Sequence, residues 1–341
     1  MAQHFLLSAR AKTLSTKQVA RMSEEEAYAA FVKIRYAETD GEPFCPACGC
    51  VVVYHITAKL PSRGKNKEAE PGVRRLFKCK ACDKQFSLTA GTIFAGRKLA
   101  IRDILYAIAK FANGAKGVSA LQLSREMQCN YRTAFVLLHK LREAMKALQA
   151  VTLGGVGTEV EMDATYTGGY VKPAREKKNH RDARYLENQT GRKKCIITMV
   201  ERGGRVLAFV AKSERQGLPE IMDRLEPGSI GFADEAKTYD ALHAAFDMRR
   251  IDHSKMWASL DGVNTNQCES FHSRLKRSIM GVHHHIAHTY TENYVAELAW
   301  RETNRRISNG EQFLTIVAAG LHHPVSRQWK GYWQRHLRAA A

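Results

Sequence analysis

Apolar positions along the chain change period several times, and each change marks an expected element. Between residues 14 and 38, Ala27, Ala30, Phe31 and Ile34 fall on one face, behind Ser23-Glu24-Glu25-Glu26. A serine followed three residues later by glutamate is a capping-box start, so this stretch is predicted to be helical. From 41 to 90 the texture shifts to short β-like pieces around paired cysteines, with a polar, basic loop at 61–72. Residues 99–150 return to helical spacing. One helix is expected over 118–127, with Leu121, Leu123 and Met127 apolar, then a turn at Gln128-Cys129-Asn130. A second follows over 131–145, carrying Ala134, Leu137, Leu138, Leu141 and Met145 at helical intervals.

After the glycines at 154, 155 and 157, strands and helices alternate to about residue 315. Alternation and apolar runs predict strands at 158–166, 194–201, 204–211, 229–234 and 249–253, with helices at 217–226, 237–246, 264–279 and 292–306. Residues 172–194, dense in Lys and Arg, read as a loop able to track a DNA backbone. The last stretch is basic and suggests no chemistry. The fold class is multidomain α/β. The expected divisions are a helical segment at 1–40, a cysteine-bearing module at 41–97, a two-helix domain at 98–152, an α/β catalytic domain at 153–315 and a basic tail at 316–341.

Charge narrows the partners. With 53 Lys+Arg against 34 Asp+Glu, a formal net charge of +19, the chain carries more basic excess than solubility needs, which favours nucleic acid. No stretch approaches the roughly 20 apolar residues of a membrane span, and the first ten residues have no signal-peptide core, so a cytoplasmic protein is expected. In a reducing compartment, eight cysteines point to metal or ordinary burial over disulfides.

Cys45-Pro-Ala-Cys48 and Cys79-Lys-Ala-Cys82 are two C-x-x-C knuckles with 30 residues between them. Each knuckle offers two thiolates at the bite tetrahedral Zn²⁺ requires, so 41–97 is expected to be a zinc ribbon with Zn²⁺ in a structural role. Cys50 lies too close to Cys48 to be an equally good ligand, and Cys129, Cys195 and Cys268 read as buried thiols. The helix pair at 118–145 has helix-turn-helix anatomy, with Arg132, His139, Lys140 and Arg142 expected on its outside to meet DNA.

Three acids stand where a two-metal nuclease would want them. Asp163 follows Val160-Glu161-Met162, Asp234 ends Ile230-Gly231-Phe232-Ala233, and Glu269 opens an amphipathic helix pattern. In so basic a chain, converging carboxylates need a reason, and divalent cations reverse the sign of their repulsion. Glu269, Ser273 and Lys276 share one helix face, while Phe271, Leu275 and Ile279 lie opposite, facing the core. Glu161 and Glu235 compete locally with the first two acids. His283-His284-His285 are consecutive, which suits a loop near substrate better than one metal ion.

Four groups of residues taken together resemble bacterial insertion-sequence transposases. They are the cysteine pairs, Phe86-Ser87-Leu88-Thr89-Ala90-Gly91-Thr92-Ile93-Phe94, Asp163-x-Thr165-Tyr166-x-Gly168-Gly169 and Asn266-x-x-Glu269-Ser270-Phe271 with Leu275-Lys276-Arg277. The group resembled joins an N-terminal zinc ribbon and a helix-turn-helix to an RNase H-like DDE catalytic domain. The resemblance implies a central mixed β-sheet flanked by helices, with the first two acids on strands and the third on a helix. It implies Mg²⁺ (or Mn²⁺) held by Asp163, Asp234 and Glu269, with Asn266 an alternative third ligand, and Lys276 and Arg277 near DNA. Two metals would serve strand cleavage and then strand transfer. The implied partners are double-stranded DNA, as terminal inverted repeats and target, and a homodimer or larger synaptic complex.

Overall fold

The computed structural model describes residues 5–59, 73–149, 151–168, 193–252, 259 and 261–334. The expected loops at 61–72 and 172–192 lie outside the described residues, as does residue 253 of the last predicted strand. The chain divides into two compact units: one takes its residues from 1–113, 120–147 and 307–341, the other from 114–119 and 148–306. The expected catalytic domain ending at 315, followed by a tail, differs from this division. Residues 307–334 pack with the first unit, because the helix at 309–322 buries Phe313, Ile316, Val317 and Leu321 there.

In the first unit the predicted helix over 14–38 is two, α1 (Thr16–Arg21) and α2 (Glu24–Arg35). The chain breaks at Ser23 because that residue opens a second capping box with Glu26, after Ser15 and Gln18 have closed the first. The ribbon follows as an antiparallel sheet of β1 (Val53–Lys59), β2 (Val73–Cys79) and β3 (Gln85–Phe86), packed on Phe77 and Phe86. Helix α3 (Ile101–Asn113) is capped from α2: Glu24 accepts from the amides of Ile101 at 2.8 Å and Arg102 at 3.0 Å. Helices α4 (Ala120–Glu126) and α5 (Tyr131–Lys146) are joined by a short turn in which Gln128 is left-handed.

The second unit is built on a mixed sheet. Its strands are β4 (Leu153–Gly154), β5 (Glu159–Thr167), β6 (Lys194–Glu201), β7 (Val206–Ala211), β8 (Leu225–Glu226), β9 (Ile230–Asp234) and β10 (Asp247–Ile251). Five of them order as β10-β9-β5-β6-β7, with β4 and β8 a separate parallel pair. β9 is parallel to both β5 and β10, whereas β5, β6 and β7 run antiparallel in turn. The last strand begins two residues before its predicted start, and it buries Met248 and Ile251 on opposite faces.

Two faces of the sheet are covered, as period-two alternation requires. On one, Met162, Ile197, Met199, Phe209 and Ala233 meet α6 (Glu214–Arg224) and the 3₁₀ segment Lys237–Ala244. Gly217 lets α6 rest directly on β6: a Cβ there would lie 1.9 Å from the Ile197 side chain. On the other, Ile196, Val200 and Ala208 meet α7 (Asn266–Ser278) and α8 (Thr291–Thr303) through Cys268, Phe271, Leu275, Val295 and Ala299. The chain ends its described part with α9 (Asn309–His322), again opened by a capping box, Ser308 with Glu311, followed by an aromatic segment. Among the described residues no helix is long and apolar enough to cross a membrane.

Candidate active site

The register of the parallel pair decides where the first two acids stand. Glu161 is level with Phe232. Two residues further along each strand come Asp163 and Asp234, at equivalent positions on neighbouring strands. Alternation sends both toward the face covered by α7, since Met162 and Ala233 point into the opposite core. Each carboxylate is steadied by nearby backbone: Asp163 accepts from the Ala164 amide at 2.7 Å, and Asp234 from the Ala236 amide at 3.1 Å. Arg250 on β10 clamps the chain behind Asp234, donating to the Asp234 and Ala236 carbonyls at 2.6 Å each.

Helix α7 carries Glu269, and Glu161 sets where that helix begins. The Glu161 side chain is buried, and its carboxylate accepts from the amides of Gln267 at 2.7 Å and Cys268 at 3.4 Å. No side chain of the flanking Thr265 caps the helix, so a carboxylate from β5 serves at its positive end. Glu161 is therefore engaged as an anchor, which separates it from Asp163, with which it competed in the sequence. Arg202, at the β6–β7 turn, completes the anchor. It pairs with Glu161 at 2.9 Å and Glu159 at 3.1 Å, donates to the carbonyls of Gly262 and Asn264, and lies 4.0 Å over the Phe232 ring.

On α7, Cys268, Phe271 and Leu275 are buried as the amphipathic pattern requires, Glu269 is half-buried, and Asn266, Lys276 and Arg277 are exposed. His272 was missed in the sequence; its Nδ1 lies 3.4 Å from Asp163 Oδ2 and its Nε2 3.0 Å from Thr198 Oγ1. Also missed was Glu214, at the start of α6. Burial, then the charges of Asp234 and Asp163, raise its carboxyl above the usual range. Burial first, then Asp163, Glu161 and Glu269, push the Cys268 thiol well up, and Tyr239 is raised by burial and the same aspartates. A local negative field in a chain of net charge +19 is the electrostatic demand a cation answers, and oxygen-only donors suit Mg²⁺ or Mn²⁺. Asp163, Asp234 and Glu269 are oxygen donors of the kind such an ion takes, although they are not gathered within 4.8 Å of one another as the cysteine ligands are.

The cysteine cluster is tighter. Ligand atoms of Cys45, Cys48, Cys79 and Cys82 all lie within 4.8 Å of one another; among the described residues no other group of three or more potential ligands is gathered so closely. Each knuckle closes the same way, with Gly49 donating to the Cys45 carbonyl and Asp83 to that of Cys79, both in left-handed conformation. The backbone N–H of Cys82, and then that of Ala81, holds the Cys79 thiol down to about 6, favouring the thiolate a metal needs. Cys50 stands apart, its thiol directed to the Val52 carbonyl.

The two-helix segment forms where expected, but not with its basic stripe outward. His139 and Arg142 are buried, and along α5 only Tyr131, Arg132 and Lys146 are exposed, with Lys140 half-buried. The cause is the aromatic segment after α9. Trp329 stacks on His139 with ring centroids 4.2 Å apart, and Phe135 packs against Trp329 and Trp333. His139 is thus a packing residue and does not face a phosphate, while Arg142 lies over Phe111. Arg132 remains exposed, 5.1 Å over the Trp333 ring. On α8, Trp300 and Arg301 are both buried, Arg301 beside Glu297.

Comparison with known proteins places these sites in a class. The model of the transposase zinc-ribbon domain family matches residues 22–85, spanning all four clustered cysteines. That of the ISXO2-like transposase domain matches 152–303, spanning Asp163, Asp234 and Glu269. A protein of Halobacterium salinarum, described as an uncharacterized protein in transposable element ISH50, is 25% identical over 264 residues, covering 73% of this chain and 87% of that protein. The chain belongs to the insertion-sequence transposases in which a zinc ribbon precedes an ISXO2-like transposase domain.

Proposed function

We propose that this transposase binds the terminal inverted repeats of its element, cuts DNA at their ends, and joins them to target DNA by transesterification. The observation that carries the reading is the shared level of Asp163 and Asp234 on parallel neighbours, beneath the helix bearing Glu269. A mixed five-stranded sheet with two acids on strands and one on a covering helix supports an RNase H-like, DDE-type assignment. Asp163, Asp234 and Glu269 would hold Mg²⁺ or Mn²⁺. We assign the third position to Glu269 over the exposed Asn266 because Glu269 is a carboxylate and is half-buried. Bound there, divalent cations supply charge stabilisation to the attacking and leaving oxygens of an in-line displacement at phosphorus.

The protein's own groups do the rest. Glu161 and Arg202 hold the start of α7, and so Glu269, against the sheet. Lys276 and Arg277, exposed near the end of α7, meet backbone phosphates, as Arg132 and Lys140 do from the helix-turn-helix. Catalysis needs no covalent enzyme intermediate. The zinc ribbon serves DNA end recognition, and pairing two ends calls for a dimer or larger complex.

The test is cleavage of a labelled duplex carrying the element's flanking repeats, with Mg²⁺, with Mn²⁺ and with no added divalent ion. Metal-dependent nicking at the repeat boundary, lost in Asp163→Asn while repeat binding and melting temperature persist, is the expected result. Specific binding without cleavage by zinc-loaded protein would overturn the catalytic reading and leave a DNA-binding regulator. Full activity in Asp163→Asn would overturn the site.

A further inference from the structure

His272 presents a polar ring on an otherwise apolar contact. The other sheet-facing residues of α7, Cys268, Phe271 and Leu275, are buried and apolar, and a phenylalanine could fill the same slot without needing hydrogen-bond partners. The imidazole, with its side chain 7% exposed, instead meets two groups from adjacent strands. Thr198 is the cross-strand partner of Asp163 on β6 and is fully buried. Its Oγ1 lies 3.0 Å from His272 Nε2, while Nδ1 lies 3.4 Å from Asp163 Oδ2.

For the neutral ring, this arrangement favours one tautomer. If the threonine hydroxyl donates to Nε2, the ring proton sits on Nδ1 and faces the carboxylate. The other tautomer would aim a lone pair at a carboxylate oxygen, which is repulsive. Asp163 then has the Ala164 amide donating to Oδ1 at 2.7 Å and the imidazole Nδ1 standing 3.4 Å from Oδ2, close enough to bias the carboxylate's orientation. Each oxygen keeps a lone pair for a ligand.

We propose that His272, oriented by Thr198, is a positioning residue that pre-sets Asp163 for divalent metal. The proposal rests on the reading of Asp163 as a metal ligand. Outer groups that orient metal-bound carboxylates are worth about 10-fold to 100-fold in affinity. Thr198→Val preserves shape and removes only the hydroxyl, so it tests the relay without emptying the slot; His272→Phe removes the ring's polarity, and His272→Gln restores an amide N–H.

The experiment titrates Mn²⁺ into full-length, zinc-loaded protein, read by the electron paramagnetic resonance of bound Mn²⁺, with zinc content and melting temperature as folding controls. Thr198→Val and His272→Phe are expected to weaken Mn²⁺ binding by about 10-fold or more, and His272→Gln to recover part of it. The Mn²⁺ concentration for half-maximal strand cleavage should rise by the same factor, with the rate at saturating Mn²⁺ largely retained. Spin-echo spectra should show no directly bonded histidine nitrogen. Unchanged Mn²⁺ affinity in both Thr198→Val and His272→Phe would overturn the proposal, as would a nitrogen coupling that vanishes in His272→Phe, since that would make His272 a ligand. Mn²⁺ binding unaffected by Asp163→Asn is a separate outcome, which removes the underlying site assignment.

Discussion

Removing the Arg202 guanidinium should release the start of α7. In Arg202→Met the aliphatic stem still covers Phe232, but Glu161, 1% exposed, loses its cationic partner and keeps only the helix amides. Breaking a buried ion pair from one side costs about 3–5 kcal/mol. Arg202 retains 19% exposure and Glu161 keeps its hydrogen bonds, so the lower end, about 3 kcal/mol, applies. The bonds to the Gly262 and Asn264 carbonyls are lost together with the pair and are not added separately. A unit of this size shifts by about 2–4 °C per kcal/mol, giving a fall of about 6–12 °C in its transition. Differential scanning calorimetry of the full chain reads this, with zinc per chain unchanged because the ribbon belongs to the other unit. Adding Glu161→Leu to Arg202→Met should recover part of the loss, since no unpaired buried charge then remains. A transition within about 2 °C of the parent in Arg202→Met would refute the anchoring argument.

Cys79→Ser should lower bound zinc below one per chain and loosen the ribbon to proteolysis; undiminished zinc by atomic absorption would exclude Cys79 as a ligand. Arg132→Ala should weaken repeat binding and reduce its salt-dependence slope by about 1 without moving the melting temperature, whereas His139→Ala should destabilise the first unit by about 1–3 kcal/mol. Fluorescence anisotropy at several salt concentrations, beside thermal melts, separates the two, and the reverse pattern would contradict the packing described for α5. Glu214→Gln bears on the site's charge. A carboxyl raised in the folded protein contributes stability that is fully present below its unfolded value of 4.5 and is lost as pH rises through its folded value. The glutamine variant should therefore melt higher than the parent at neutral pH and equally below pH 4.5, without added divalent metal; equal melting at both would dismiss the repulsion.

The sequence reading succeeded where the information is local. The alternation through Val160-Glu161-Met162-Asp163 and the run ending at Asp234 predicted β5 and β9 to within a residue, and Phe271 and Leu275 marked the inner face of α7. It failed where a distant segment decides an environment. His139 and Arg142 look like surface residues on a basic helix, and only Trp329, far along the chain, and Phe111 on α3 turn their stripe into an interior. His272 has no recognisable setting in α7 alone; Thr198 and Asp163 become its neighbours only when β5 and β6 pair. Arg202 reads as a turn residue for the same reason. The cysteines stand between these cases, because two short spacings carry the ligand geometry and the fold need only bring the knuckles together. Helix α9 was obscured by Gly310 and Gly320. The second is in fact required, since a Cβ there would come 2.5 Å from the Phe94 ring.

The return of α9 to the first unit has a consequence for how the chain matures. The helix contacts α2, α3 and α5, so those helices cannot complete their shared interior until it has been made. Between α5 and α9 the ribosome must first synthesise the sheet-bearing unit, residues 148–306, which at roughly 5–20 residues per second takes on the order of ten to thirty seconds. The sheet unit thus has its whole sequence available while the other unit is still incomplete. A polypeptide halted after α5 would expose the apolar surface meant for Phe313, Ile316, Val317 and Leu321. Early termination would therefore yield an aggregation-prone fragment rather than a free-standing ribbon and helix pair that competes with intact protein for DNA ends.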